Sequence, residues 1–97
     1  MTPPDKIARA KALLDYQEAG LTMAVEAFGR DKRDILNLNL ARSLLAKVRH
    51  YRVDFDRSPE FHAGMALMFL GKNGFGPLID LTIRDAEKTA SQHRKAA

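Results

Sequence analysis

At 97 residues and 10.9 kDa the chain is long enough for one domain and too short for a cofactor domain beside a separate substrate domain. The absence of Cys removes disulfides, thiolate metal sites and cysteine nucleophiles together, and 7% aromatics without Trp argue against an aromatic-rich β-sandwich. A formal net charge of +4, with 45% hydrophobic and 29% charged residues, fits a folded basic domain over residues 1–97.

The first residues, Met1-Thr2-Pro3-Pro4-Asp5, lead into a charged, alanine-rich stretch and not into an apolar export core. The longest strongly apolar stretch, Phe61 to Gly71, is 11 residues, short of the ~20 that span a bilayer. The expectation is a cytoplasmic protein with no membrane partner.

Thr2 and Pro3 open a predicted helix over 3–28, with Asp5 in its first turn and Gly29 at its end in a left-handed terminal conformation. Ile7, Ala10, Leu14, Gln17, Leu21, Ala24, Val25 and Phe28 share one face at the helical period. A second stripe follows Ala12, Tyr16, Ala19, Gly20, Met23 and Ala27, leaving Lys11, Asp15, Glu18, Thr22 and Glu26 as the polar wedge. Two apolar stripes need two coverings, so this helix is either central or at a subunit contact.

Asp31 is the expected cap of a second helix over 31–52, forming an antiparallel hairpin with the first. Leu38, Ala41, Leu44, Leu45, Val48 and Tyr51 make its buried face; Asn39, Arg42, Ser43, Lys47, Arg49 and His50 make its wet face. Val53 to Arg57 breaks the phase, and Ser58-Pro59 caps and starts a third helix over 59–70. That helix is apolar nearly all round from Phe61 to Leu70, which predicts burial on most sides. Gly71, Gly74 and Gly76 make the turn, with Phe75 tucked into the bundle. Pro77 opens a fourth helix over 77–92, and residues 91–97 are expected to fray. The fold class is all-α: a small four-helix assembly with two long antiparallel helices and two shorter ones.

Few residues converge on chemistry. His50, His62 and His93 lie in three different helices without the spacing of metal ligands. Asp54 to Glu60 alternates oxygen ligands like the start of a calcium loop, but Pro59 stands where the turn wants Gly and Met65 where the closing carboxylate belongs. Gly71-Lys72-Asn73-Gly74-Phe75-Gly76 follows a helix and not the strand that a phosphate loop requires. Ser43 and Ser91 have no His placed to activate them. The reading is a non-enzyme with no cofactor, no metal and no small-molecule substrate.

Charge is uneven. Residues 31–57 hold seven Lys or Arg against four Asp or Glu, and no acid falls between Asp34 and Asp54. Within that gap Arg42, Lys47, Arg49 and Arg52 form a candidate nucleic-acid face, Arg42 and Arg49 sharing a side seven residues apart. Lys32, Arg33, Asn37 and Asn39 do not share one face, which discourages a helix-turn-helix reading.

The leading expectation is a helical binding protein with a regulatory, inhibitory or assembly role through protein–protein contacts. It pairs as a homodimer through Tyr16, Ala19, Met23 and Ala27. The alternative is a DNA- or RNA-binding protein that uses the basic face of the second helix.

Overall fold

Helix follows helix through nearly the whole chain. A computed structural model describes residues 4–30 and 34–96, with side chains described to residue 92. The elements are α1 (Pro4–Gly29), α2 (Ile35–Arg57), α3 (Pro59–Phe69) and α4 (Gly76–Ala96), an all-α four-helix assembly with no strand among the described residues.

The bounds correct several expectations. α4 has 21 residues and is long like α1 with 26 and α2 with 23, which leaves α3, with 11, as the one short helix. α2 runs five residues past the expected end at Tyr51–Arg52, because Phe55 is buried and lies seven residues after Val48 on the same face. Arg52 Nε reaches Asp56 Oδ2 at 3.6 Å within the segment expected to break, a pairing that belongs to a continuing helix. α4 continues to Ala96 where fraying was expected. Ser58 stands at the start of α3 with Pro59 in its first turn, yet its hydroxyl makes no capping bond. The expected caps Thr2 and Asp31 lie outside the described residues, and α2 begins after Asp34, whose carbonyl accepts Leu38 N–H at 3.0 Å.

Neighbours along α1 give the topology. Gly29 lies by Leu38, Glu18 by Arg49 and Asp15 by Arg52, so contacts with α2 run in opposite directions along the two helices. Lys6 passes Gly64, Gln17 bonds Leu70 and Gly20 meets Ile83, so α3 and α4 both run with α1. The four helices thus form three rods. α1 and α2 are continuous; the third rod is α3 followed by α4, broken at Leu70–Phe75. The molecule is correspondingly drawn out, 51 × 22 × 20 Å.

α1 is the central element and touches all three other helices. Its fully buried face is Ala10, Leu14, Gln17, Leu21, Ala24 and Phe28, every member of which belongs to the first stripe read from the sequence. Leu14, Leu21 and Phe28 each contribute roughly 1.5–3 kcal/mol by leaving water. Leu14 and Leu21 pack with Leu44, Leu45, Val48 and Phe55 of α2, Ala63 and Ala66 of α3, and Ile79 and Ile83 of α4, whereas Phe28 packs in a second cluster with Ala41 and Ala86.

Two features hold the broken rod against α1. Gln17, completely buried, donates from Nε2 to the Leu70 carbonyl at 2.8 Å and so satisfies a backbone acceptor that the end of α3 leaves open. Gly20 lets α4 come close: a Cβ there would lie 2.9 Å from Ile83 Cγ1 and closer still to its Cδ1. Gly71, Gly74 and Gly76 act by sterics and not by handedness, whereas Gly29 and Gly64 have room for a side chain. No described residue has a positive φ, Gly29 included, whereas side chains at Gly71 and Gly74 would strike the carbonyls of Leu67 and Phe69. Replacing Gly20 with Val is expected to cost about 1–3 kcal/mol by overpacking, read as a lower urea midpoint with an unchanged slope. Ile83→Ala in the same chain should recover part of that loss, and strictly additive effects would disprove the contact.

Candidate functional site

α3 is where the structure departs furthest from the expectation of burial. Ala63 and Ala66 are the buried residues of the helix proper, with Leu67 partly buried against the core and Leu70 buried just beyond the helix end. Phe61, Met65 and Met68, spaced four and three residues apart, form the opposite ridge at 79%, 45% and 61% exposure. The physical reason is geometric. An 11-residue helix laid against two others can bury one face, and the small residues take that face because the backbones approach closely.

The exposed band continues past the break. Phe69 and Phe75 are more than a third exposed, as are Leu78 and Leu81 on α4. Phe75 is therefore not tucked in as expected: Lys47 Nζ lies 4.5 Å from its ring centroid, a cation–π contact over a partly wet ring. Phe69 stacks on Tyr51 of α2 with centroids 5.7 Å apart and planes inclined by 16°, and His50 meets the edge of the same tyrosine. The third rod thus exposes a set of apolar and partly aromatic side chains, with Lys72 and Asn73 at the turn and Asp80, Arg84, Glu87 and Lys88 exposed along α4.

The predicted interface on α1 is only partly available. Tyr16 and Ala19 are exposed, and Met23 is half-buried against both core clusters. Ala27 is buried beside Phe28 and Ala86 within the chain's own core. The Gly20, Met23 and Ala27 half of the second stripe is covered by α4, which the sequence pattern could not place. Tyr16 has its pKa raised, first by partial loss of solvent and then by the carboxylates of Asp80 and Glu87.

The predicted basic face is divided. Arg52 Nη1 lies 2.7 Å from Asp15 Oδ1 and 3.8 Å from Glu18 Oε1, with Arg49 Nε 3.5 Å from Glu18 Oε2. Two of the four cations proposed for phosphate are therefore neutralised by the α1 wedge that had been read as solvated. Lys47 lies over Phe75, and Arg42 stands exposed without an ion-pair partner among the described residues. Asp15 also takes Lys11 Nζ at 2.7 Å, and hydrogen bonds from Lys11 and Arg52 hold its carboxyl below the ordinary carboxylate value.

Among the described residues no three His, Asp or Glu side chains converge on a point, and no helix is long and apolar enough to cross a membrane. Compared with known families, curated proteins and solved structures, the chain matches no family model, no curated protein and no solved structure. Its own surfaces carry the functional argument.

Because folding depresses the Asp15 pKa, its contribution to stability is complete above the ordinary carboxylate range and is lost as pH falls through its folded value. Asp15→Asn should therefore be less stable than the parent at neutral pH and low salt, with the gap closing on acidification and with added salt. Parallel denaturation curves at neutral and acid pH measure this, and a gap independent of both would refute the clasp.

Proposed function

We propose that the chain is a non-catalytic helical binding protein with a regulatory, inhibitory or assembly role, acting through protein–protein contacts as a homodimer. The observation that carries the reading is the exposed apolar side of the third rod: Phe61, Met65, Met68 and Phe69, then Phe75, Leu78 and Leu81. Side chains of this size at these exposures amount to roughly 600 Å² of apolar surface, at the upper limit of the largest patch on a typical monomer.

A second copy suits that face for a further reason. A two-fold axis near Met65 would set Phe61 of one copy beside Met68 of the other and repeat the contact by symmetry. Methionines adapt to an approximate fit better than branched side chains do. The engagement of Arg49 and Arg52 by Asp15 and Glu18 weighs against a phosphate backbone as the main partner.

Light scattering on the eluting protein tests this directly. The parent chain is expected at twice the monomer mass, and Phe61→Glu with Met65→Glu at the monomer mass with undiminished helical circular dichroism. Both positions are exposed, so the fold should tolerate the change. A parent that stays monomeric at high micromolar concentration, or a charged variant that stays dimeric, rules out the assignment.

A further inference from the structure

Beside the outer face, and sharing Met68 with it, a groove of about 670 Å³ opens between α1 and the broken part of the third rod. Its volume falls within the range of small-molecule sites. Ala12, Leu13 and Tyr16 line one wall, with Leu67 and Met68 on the other. Its polar groups are Arg9, Lys72 and Asn73, two cations and an amide with no acid among the lining residues. The two smaller hollows along α4 differ in this respect, since Arg84 there is accompanied by Asp80 and Glu87, and Arg30 by Glu87.

The cations are not spent elsewhere. Neither Arg9 nor Lys72 has an ion-pair partner among the described residues. Three carbonyls next to Lys72 are already satisfied: Leu70 by Gln17, Phe69 by Phe75 N–H, and Gly71 by the N–H groups of Gly74 and Gly76. Position along the groove is also defined. Arg9 precedes Tyr16 by seven residues, about 10 Å along α1, and the Gln17–Leu70 bond holds Lys72 and Asn73 at the Tyr16 end. The apolar wall from Ala12 to Tyr16 lies between these polar ends, and a span of about 10 Å matches the length of one medium-length acyl chain.

We propose that this groove binds a single-chain amphiphilic carboxylate of medium length. Its tail lies along Ala12, Leu13, Leu67 and Met68, and its carboxylate accepts hydrogen bonds from Lys72 and Asn73. Arg9, at the far end, adds attraction without direct contact with the headgroup. The ligand is bound unchanged and is not a substrate, which extends the sequence expectation that no small molecule is turned over.

Titration of the full chain with decanoate and with decanol, followed by backbone amide shifts and calorimetry, tests the site. Decanoate is expected to saturate one site per chain, moving the amides of Ala12, Gly71 and Asn73, with decanol at least tenfold weaker. Lys72→Gln should weaken decanoate about tenfold and Arg9→Gln only two- to threefold, while Ala12→Phe, which fills the groove at an exposed position, should abolish binding. Equal affinity for acid and alcohol, an unchanged Lys72→Gln, or shifts centred on Phe61 and Leu81 would overturn the proposal. So would an acidic amphipathic peptide or an anionic phosphatidylglycerol vesicle that moves the groove amides when decanoate does not. Because the same titration can be run on the Phe61→Glu, Met65→Glu chain, failure of the dimer and failure of the groove are read separately.

Discussion

A helical rod cannot be broken inside a bundle without leaving carbonyls in a place that water does not reach, and the bond from Gln17 to Leu70 is the answer to that constraint here. An amide in the middle of the most buried face of α1 costs desolvation, which its bond to Leu70 offsets in part, Gln17 Oε1 being buried with no partner among the described residues. What the bond secures is a position. It holds the end of α3 at the midpoint of α1, so that α4 restarts at the level of Tyr16 and lays Ile83 on Gly20. The outer apolar face and the groove at the break both follow from that placement.

The break also decides which residues α3 hides. A continuous third rod would keep one buried stripe in phase across its length. With α3 as a short separate helix, Ala63 and Ala66 face inward and the helix sits close, while Phe61, Met65 and Met68 are turned out. The stability given up by leaving large apolar groups in water is recovered only when something covers them, and this ties the packing of α3 to the proposed dimer.

Electrostatics serves the hairpin before it serves any partner. Arg52, only partly exposed, collects Asp15, Glu18 and Asp56, and Arg49 adds to Glu18, so α1 and α2 are clasped along the side away from the third rod. Exposed pairs of this kind contribute little each, and their joint effect is to fix which residues of the two helices face one another. The consequence for recognition is a redistribution of free charge. Helix two, richest in cations, has two of them neutralised, whereas Arg9 and Lys72, unremarkable in the sequence, stand unpaired at a groove.

Helical class, the four segments and the buried faces of α1 and α2 were legible from spacing, because a 3.6-residue period records which side of a helix leaves water, whatever covers it. Leu14, Leu21, Leu44 and Val48 are buried where that period placed them. The end of α2 was misread because Asp54 and Asp56 look like a break until Phe55 is seen to keep the phase. For α3 the pattern had no answer: a segment apolar on every side carries no periodic signal, so burial of its alanines and exposure of its Phe and Met depended on the neighbouring helices. The same holds for Ala27, Arg52 and the groove. Each is set by residues distant in the chain meeting across helices, and a local period contains no information about which distant residue arrives.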